Sequence, residues 1–305
     1  MEEQMNIFDY ISGPFKIKNK IRLIELFAGI GSQAMALKTI GADFEHWKVV
    51  EFDKYAIQSY NAIHETNFPT IDVTKIHGKD LEIIDTDAFT YLLTYSFPCT
   101  DLSCAGLMAG MKEGSGTRSS LLWEVKRLLN ECENLPQVLV MENVTQVHST
   151  ENLPHFNKWL NFLEEKGYTT FWEDMNAKDY GVAQSRDRTI VVSILGQYSF
   201  HFPNPFPLEK TMKDYLEDEV DEKFYLKNEK AKKLIDKLIL NGKILKTDRQ
   251  TDRQTDRQTD RQTVDLCLSN PRVIQTANCI KARVDCGISN QQADGSGILE
   301  YERML

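Results

Sequence analysis

The feature that most constrains the fold is an alternation of two kinds of segment along the first two thirds of the 305-residue chain. Apolar residues recur at helical spacing in Ser119–Cys132, and the segment Phe156–Leu163 repeats that spacing. Short apolar runs between such segments are predicted strands: Arg22–Phe27, Trp47–Phe52, Tyr91–Ser96, Val138–Met141, Thr169–Trp172 and Thr189–Leu195. This order predicts an α/β fold with a mainly parallel sheet and helices on its faces.

The alternation stops after Gly196, where the proline-rich stretch His201–Pro207 reads as a connector. We therefore predict an N-terminal extension (1–20), an α/β domain (21–196) and a second, smaller and more irregular region (197–305). Within that region, Thr247–Gln262 consists of four tandem copies of Thr-Asp-Arg-Gln. The repeat has no apolar residue to bury, so we predict a solvated, mobile loop.

Composition excludes several classes of protein. Hydrophobic residues make up 41% of the chain and charged residues 27%, as in an ordinary globular protein. No apolar run reaches the roughly 18 residues of a membrane span, and no signal segment follows the acidic start, which predicts a cytoplasmic protein without a membrane partner. Residues 1–196 carry 18 basic and 27 acidic side chains, so bulk charge does not indicate nucleic-acid binding.

The cysteines and histidines form no metal-binding pattern. None of the six cysteines belongs to a CxxC pair, and in a reducing compartment we expect free thiols. The six histidines show no ligand spacing either, and we expect each to be structural or exposed. The sequence therefore predicts no metal site.

A glycine-rich turn follows the first predicted strand in Leu26–Ser32. Gly29 and Gly31 allow a tight turn and a close approach of the backbone to a ligand, and a helix begins directly afterwards. Glu51 and Asp53 end the next strand, where a carboxylate can accept hydrogen bonds from ribose hydroxyls. The pattern predicts a cofactor that contains adenosine, but it fits a nicotinamide dinucleotide as well.

Three further motifs carry groups suited to chemistry. Cys99 follows Pro98 just after a strand, Glu142 lies at a strand end, and Arg186 and Arg188 lead into another strand. Ligands of open parallel sheets bind outside the carboxyl ends of the strands, so we expect Gly29, Glu51, Cys99 and Glu142 to converge on one crevice.

With these motifs the sequence resembles the cytosine-5 DNA methyltransferases, particularly bacterial and phage-like members. Six motifs occur in that family's order: Phe27–Gly31, Glu51–Asp53, Asp72–Thr74, Pro98–Cys99, Glu142–Val144 and Gln184–Arg188. The resemblance implies a Rossmann-like methyltransferase domain that binds S-adenosylmethionine through Phe27, Ala28, Gly29, Gly31, Glu51, Asp72 and Pro98. It places Glu51 on the ribose and Asp72 near the adenine amino group, and it implies that 197–305 is a target-recognition region.

The resemblance also implies roles for the catalytic residues. The Cys99 thiolate would add to C6 of cytosine, while Glu142 would hold N3 and supply a proton. Arg188 would bind the cytosine O2, and Arg186 would support it and a phosphate. The substrate would be a base flipped out of double-stranded DNA, and a cognate restriction endonuclease would be a partner in a restriction-modification or phage-type system.

One feature of the sequence departs from the family. The family continues with a helix-bearing segment and a Gly-Asn motif that Asn290, Gly295 and Gly297 do not reproduce. We therefore expect a chain that is truncated, completed by a C-terminal polypeptide, or weakly active. The alternatives are a DNA-binding or partner-binding relative with little activity, an RNA cytosine-5 methyltransferase, and a nicotinamide dehydrogenase, although the last gives Cys99 and Glu142 no joint role.

The loop that follows Cys99 has two possible interpretations. The loop Thr100–Thr117 is rich in glycine and serine, which fits either a lid over the flipped base or flexibility without function. Cys104 within it is interpreted as a small loop residue.

Thr-Asp-Arg-Gln can be encoded by ACA-GAC-AGA-CAG, a repeated ACAG tetranucleotide, so strand slippage would shift the reading frame and switch expression on and off. The alternative is a repeat that is merely tolerated in a loop.

Overall fold

The computed structural model describes residues 12–99, 101–102, 110–216, 229–242, 261–265, 277–278 and 296–300. The chain divides into two compact units, one formed by residues 1–175 and 188–203 and the other by residues 176–187 and 204–305. The predicted border after residue 196 differs from this grouping, because 176–187 belongs with the second unit and 197–203 with the first. None of the helices in the described ranges is long and apolar enough to cross a membrane.

The first unit contains the predicted alternation of strands and helices. Its strands are β1 (Ser12–Pro14), β2 (Ile21–Leu26), β3 (Phe44–Val50), β4 (Thr90–Tyr95), β5 (Val138–Asn143), β6 (Tyr168–Asn176, whose last residue belongs to the second unit), β8 (Asp187–Leu195, whose first residue does) and β9 (Tyr198–Ser199). Its helices are α1 (Ser32–Thr39), α2 (Lys54–His64), α3 (Leu122–Glu131) and α4 (Leu153–Glu165). Each of the six predicted strands is present, with bounds shifted by a few residues.

Six strands form one sheet in the order β3-β2-β4-β5-β8-β6. The pairs β2–β3, β2–β4 and β4–β5 are parallel, whereas β5–β8 is antiparallel. The short β1, which was predicted as part of an extension, pairs in parallel with β9. The fold is therefore α/β with a mostly parallel central sheet, as the alternation predicts.

The core of this unit forms because the central strands are apolar on both faces. Strand β4 is buried along its whole length, as expected for a parallel strand with helices on either side. Helix α3 contributes Leu122, Val125, Leu128 and Leu129, which recur at helical spacing on its buried face. Helix α4 contributes Trp159, whose indole N–H donates to the Tyr95 hydroxyl at 3.1 Å. The apolar stripes found in the sequence are core, as predicted.

The second unit is described in separate pieces. Its α-helix and strands in the described ranges are β7 (Gln184–Ser185), α5 (Glu229–Leu240), β10 (Arg261–Asp265), β11 (Ala277–Asn278) and β12 (Ser296–Glu300). Strand β7 pairs in parallel with β11, and β10 pairs antiparallel with β12. The last two residues of the repeat, Arg261 and Gln262, lie in β10, so the predicted loop is wrong for them, because β12 supplies backbone partners. The rest of the repeat lies outside the described residues.

Candidate active site

The carboxyl ends of four neighbouring strands lie in register at one edge of the sheet. Leu26 on β2 lies opposite Val50 on β3 and Tyr95 on β4, and Tyr95 lies opposite Met141 on β5. The residues that follow this row are the predicted site residues: the glycine turn after β2, Glu51 after β3, Cys99 after β4 and Glu142 on β5. The topology therefore carries all four motifs to one edge.

The antiparallel strand β8 brings a fifth group to the same edge. Thr189, near the start of β8, lies opposite Asn143, near the end of β5. Because β8 runs against its neighbour, its first residues rather than its last reach this edge. Arg188 therefore lies beside the carboxyl end of β5.

The glycine turn has the backbone conformation that its sequence predicts. Gly29 and Gly31 have φ angles of 58° and 81°, in the left-handed region that glycine adopts without strain, and the non-glycine Phe27 also has a positive φ of 59°. The Glu51 carboxylate accepts the Gly29 N–H at 2.8 Å through Oε2 and the Asp53 N–H at 2.7 Å through Oε1. These two bonds fasten Glu51 to the turn. The other side of Gly29 is open, since a Cβ there would meet nothing within 4 Å.

The other two acidic residues of this region have local structural tasks. Asp53 caps α2, because its Oδ1 accepts the N–H groups of Tyr55 and Ala56 at 2.8 and 2.9 Å. Asp72 accepts the backbone N–H and the hydroxyl of Thr74 at 3.0 and 2.8 Å, which lowers the pKa of Asp72. Glu51 therefore holds the glycine turn, whereas Asp53 holds a helix end.

A backbone contact places Asp72 near Glu51. The Ile71 N–H donates to the Glu51 carbonyl at 2.8 Å, so the segment that carries Asp72 runs beside the end of β3. Sequence reasoning gave no role to Phe52, although it follows Glu51 directly and its side chain is 77% exposed. An aromatic residue between two acids at a strand end is a signal that could have identified it, because a flat apolar surface there can stack on an adenine ring.

The segment that carries Cys99 is held through three successive carbonyl groups. Asn143 Nδ2 donates to the Phe97 carbonyl at 2.9 Å, Ser119 Oγ donates to the Pro98 carbonyl at 2.7 Å, and the Leu102 N–H donates to the Cys99 carbonyl at 3.0 Å. Cys99 itself is a half-buried free thiol. Asn143 is 2% exposed and lies next to Glu142, so it connects two of the predicted motifs. Sequence reasoning quoted Asn143 within its motif but assigned it no task.

Glu142 and Arg188 form an ion pair. Arg188 Nε lies 2.8 Å from Glu142 Oε1, and the two side chains are 18% and 30% exposed. The pair joins the end of β5 to the start of β8. The structure thus brings together two residues that lie far apart in the sequence and that were both predicted to contact the base.

Other predicted residues are placed differently or lie outside the description. Arg186 belongs to the second unit, where its N–H donates to Asn176 Oδ1 at 3.0 Å, and its predicted support of Arg188 stays a prediction. Cys104 and the rest of 103–109, with residue 100, lie outside the described part of the proposed lid; Gly110, Gly114 and Gly116, which are described, have positive φ angles. Within the described ranges, no group of three or more His, Cys, Asp and Glu side chains could hold a metal ion.

Solved structures share this fold. An Entamoeba histolytica methyltransferase, EhMeth, has a TM-score of 0.59 and 20% identity, covering 73% of this chain and 67% of its own. The Schizosaccharomyces pombe Dnmt2 methyltransferase has a TM-score of 0.53 and 19% identity, covering 73% of this chain and 65% of its own. At such identities the likeness shows the fold alone.

Sequence comparison gives a more specific result. The type II methyltransferase M2.ScrFI of Lactococcus lactis subsp. cremoris is 32% identical over 262 residues, which span 68% of this chain and 71% of that protein. The orphan methyltransferase M.SssI of Spiroplasma monobiae is 34% identical over 271 residues, 70% of each chain. The model of the C-5 cytosine-specific DNA methylase family matches residues 21–292. The chain therefore belongs to the C-5 cytosine-specific DNA methylase family.

Proposed function

We propose that this chain transfers a methyl group from S-adenosylmethionine to C5 of a cytosine flipped out of a specific duplex DNA sequence. The observation that carries the proposal is the sheet edge where the Cys99 segment lies between the glycine turn and the Glu142–Arg188 pair. A type II methyltransferase among the relatives supports a place in a restriction-modification or phage-type system, with a cognate endonuclease as partner. Membership of the family supports duplex DNA as the substrate.

The residues around the glycine turn fit the proposed cofactor. The open side of Gly29 admits a ligand, and the Glu51 carboxylate has lone pairs beyond those used by its two backbone donors, which suit ribose hydroxyls. The exposed ring of Phe52 offers a surface for the adenine. When bound, S-adenosylmethionine supplies an electrophilic methyl group on a sulfonium. Phe27, Ala28, Gly31, Asp72 and Pro98 complete the proposed binding site.

Cys99 supplies the nucleophile in the proposed reaction. Cytosine C5 is a poor nucleophile on its own, so the Cys99 thiolate adds to C6 and forms a carbon–sulfur bond. The electron pair displaced from the C5–C6 double bond makes C5 able to attack the methyl group. Loss of the C5 proton to a base then restores the double bond and expels the Cys99 thiolate, and the proton on N3 returns to Glu142, so both side chains regain their starting states.

Glu142 and Arg188 control charge on the base. Glu142 delivers a proton to N3 as the thiolate adds, which neutralises the developing negative charge of the ring. Arg188 donates to the cytosine O2, where charge also develops. The ion pair seen between these two side chains keeps both in the same small region before a base arrives. Arg186 is proposed to bind a phosphate of the flipped nucleotide.

The proposed reaction requires base flipping and sequence recognition. A stacked cytosine shields C5 and C6, so extrusion of the base costs a few kcal/mol that protein contacts must offset. We assign target recognition to the region 197–305. We further propose that the Thr-Asp-Arg-Gln repeat reports a slipping tetranucleotide tract, which makes expression of the protein phase-variable.

Covalent trapping tests the proposal. A mixed-sequence duplex in which 5-fluorocytosine replaces cytosine is incubated with S-adenosylmethionine and the full chain, and adducts are counted on denaturing gels. Fluorine cannot leave as a proton would, so the carbon–sulfur bond persists. The wild-type chain is expected to form an adduct and Cys99→Ala none, and a matching RNA duplex is expected to give none.

Cys132→Ala is the matched control. Cys132 is also a free thiol of the first unit, but burial raises the pKa of its thiol to about 11, so it is uncharged at neutral pH. This variant is expected to form the adduct at the wild-type rate. An adduct that survives Cys99→Ala, or preferential trapping on RNA, would contradict the proposal.

A further inference from the structure

A polar cluster includes the residue that directly follows Arg188 of the Glu142–Arg188 pair. It consists of His148 in a short 3-10 helix (Thr145–His148), Asp174 on β6 and Thr189 on β8. His148 Nε2 lies 3.0 Å from both carboxylate oxygens of Asp174, and the Thr189 hydroxyl donates to Asp174 Oδ1 at 2.5 Å. We call these three residues the Asp174 cluster. Its residues lie on the neighbouring strands β6 and β8 and on the 3-10 helix that follows β5.

The Asp174 cluster binds the two segments that carry the ion pair. Thr189 directly follows Arg188 and is completely buried, and in the sheet it lies opposite Asn143, which directly follows Glu142. The 3-10 helix that ends at His148 is the continuation of the same segment beyond Asn143. A single carboxylate on β6 therefore bonds to the residue directly after Arg188 and to the residue six positions after Glu142.

Aromatic packing orients the histidine of the cluster. The ring of His148 lies 5.0 Å from that of Trp172 and 6.0 Å from that of Phe156, measured between centroids. Trp172 and Phe156 pack edge to face at 5.4 Å. These contacts restrict the plane of the imidazole, so that Nε2 faces Asp174.

Stability alone is a poor explanation for this arrangement. The side chains of His148 and Asp174 are 23% and 41% exposed, and ion pairs with such exposure contribute little to the free energy of unfolding. A role in positioning Arg188 explains the arrangement better, since the direction of the Arg188 side chain depends on the backbone at residues 188 and 189. Two catalytic groups that act on the same base must be held within about 0.5 Å of their working positions.

We propose that His148, Asp174 and Thr189 are positioning residues that set the mutual geometry of Glu142 and Arg188 for methyl transfer. The cluster touches neither base nor cofactor and acts through the backbone on both sides of the ion pair. This inference rests on the proposed methyltransferase function. It adds to that function a set of residues outside the motifs quoted above.

Steady-state kinetics with a mixed-sequence unmethylated plasmid test the inference. Thr189→Val keeps the shape of the buried side chain but removes the hydroxyl, and Thr189→Ser keeps the hydroxyl. Thr189→Val is expected to lower kcat by roughly 10- to 100-fold, because small misplacements of catalytic groups have effects of this size. The KM for S-adenosylmethionine should be unchanged, since the glycine turn is not part of the cluster, and Thr189→Ser should retain wild-type kcat.

Two partly exposed positions provide variants that do not disturb the buried core. Asp174→Asn keeps the size of the side chain, and His148→Phe keeps the ring that packs on Trp172. Both are expected to lower kcat without changing the KM for S-adenosylmethionine. The matched control is His77→Gln, which breaks another histidine–carboxylate pair, His77 Nδ1 to Glu131 Oε2 at 3.2 Å, elsewhere in the same unit. Its kcat should equal that of the wild type.

The outcomes separate this inference from the function on which it rests. An active wild-type chain whose kcat survives Thr189→Val and Asp174→Asn would overturn the inference alone. So would a Thr189→Ser variant as slow as Thr189→Val, or a parallel rise in the KM for S-adenosylmethionine. A wild-type chain that transfers no methyl group to the plasmid would instead overturn the proposed function.

Discussion

Replacement of Glu142 tests the proposed proton transfer to N3 directly. Replacement by Gln keeps a hydrogen-bonding side chain beside Arg188 but removes the proton that the mechanism requires at N3. We expect Glu142→Gln to lower kcat by roughly 10²- to 10⁴-fold, the usual contribution of a positioned acid or base. Single-turnover methylation of plasmid DNA measures the effect. The affinity for S-adenosylmethionine, measured by calorimetry, should stay at the wild-type value.

Glu142→Asp is the companion variant. It keeps the carboxyl group but shortens the side chain, so its rate should lie between those of Glu142→Gln and the wild type. A Glu142→Gln variant as fast as the wild type would mean that proton transfer to N3 does not depend on this carboxylate.

A second carboxylate, Glu25 on β2, is informative about stability. It is 1% exposed and accepts a hydrogen bond from the Tyr60 hydroxyl at 2.5 Å, while Tyr60 lies 2.6 Å from His46 Nδ1. Burial raises the pKa of Glu25 to about 7, although the bond from Tyr60 acts in the opposite direction. The folded protein therefore retains a proton on Glu25 at pH values where the unfolded chain has lost it.

The sign of the pH dependence follows from this pKa. Between about pH 4 and pH 7 the folded state binds more protons at Glu25 than the unfolded state, so stability falls as pH rises through that window. The loss should be on the order of 3 kcal/mol, and Glu25→Gln should remove it. Urea unfolding at pH 5 and pH 8 measures both proteins. Glu133→Gln, at an exposed glutamate, is the control. An equal change in the free energy of unfolding between pH 5 and pH 8 for wild type and Glu25→Gln would contradict the prediction.

At the scale of elements, the glycine turn and α2 are packed too closely for a side chain at Gly31. A Cβ there would lie 2.3 Å from His64 Nε2 and 2.6 Å from Tyr60 Cε2, whereas at Gly29 it would meet nothing within 4 Å. Both residues have positive φ angles. Gly29→Ala should therefore cost roughly 1–2 kcal/mol of backbone strain, and Gly31→Ala roughly 1–3 kcal/mol more from overlap.

Urea unfolding of the two variants measures this difference. The double variant Gly31→Ala, His64→Ala should regain part of the loss, because the nearest overlapping atom is removed. Equal losses at the two glycines would show that the turn is not packed against α2 in solution.

The connection between β4 and β5 depends on Asn143. Loss of its Nδ2 would leave the buried Phe97 carbonyl without that donor, at a cost of about 1–3 kcal/mol. Asn143→Ala should also slow adduct formation with 5-fluorocytosine duplex, since the Cys99 segment loses one of its three attachments. Asn134→Ala removes a comparable bond, from Asn134 Nδ2 to the Ile83 carbonyl at 3.1 Å, and should lower stability alone. An adduct rate that falls equally in both variants would contradict a specific role for Asn143.

At the scale of the whole molecule, the repeat predicts variation that the fold tolerates. Loss of one copy, Thr251–Gln254, keeps the reading frame and leaves Arg261 and Gln262 in place for β10. Since the sequence predicts a loop for this part of the repeat, the melting temperature should stay close to that of the wild type, because loop-closure entropy changes slowly with length. Sequencing the tract in many clones of one culture should show several lengths. A uniform length, or codons without an ACAG repeat, would contradict phase variation.

Local patterns determined much of the fold from the sequence alone. The six central strands and the buried faces of α3 and α4 were predictable because hydrophobic periodicity is a property of neighbouring residues. The conformation of the turn at Gly29 and Gly31 followed for the same reason, since only glycine adopts those φ angles without strain. The convergence of Glu51, Cys99 and Glu142 then followed from the direction of parallel strands.

Only the tertiary structure decided which partners each side chain found. The strand order and the antiparallel course of β8, which bring Arg188 to Glu142, depend on contacts between residues far apart in the sequence. Asp53 is an exception, because the N–H groups of α2 that it accepts lie only two and three residues further along the chain. Asp174 belongs to none of the sequence motifs, because its partners His148 and Thr189 lie in segments that meet it only in the folded sheet. Periodicity specifies which face of an element is buried, but long-range packing selects the neighbour.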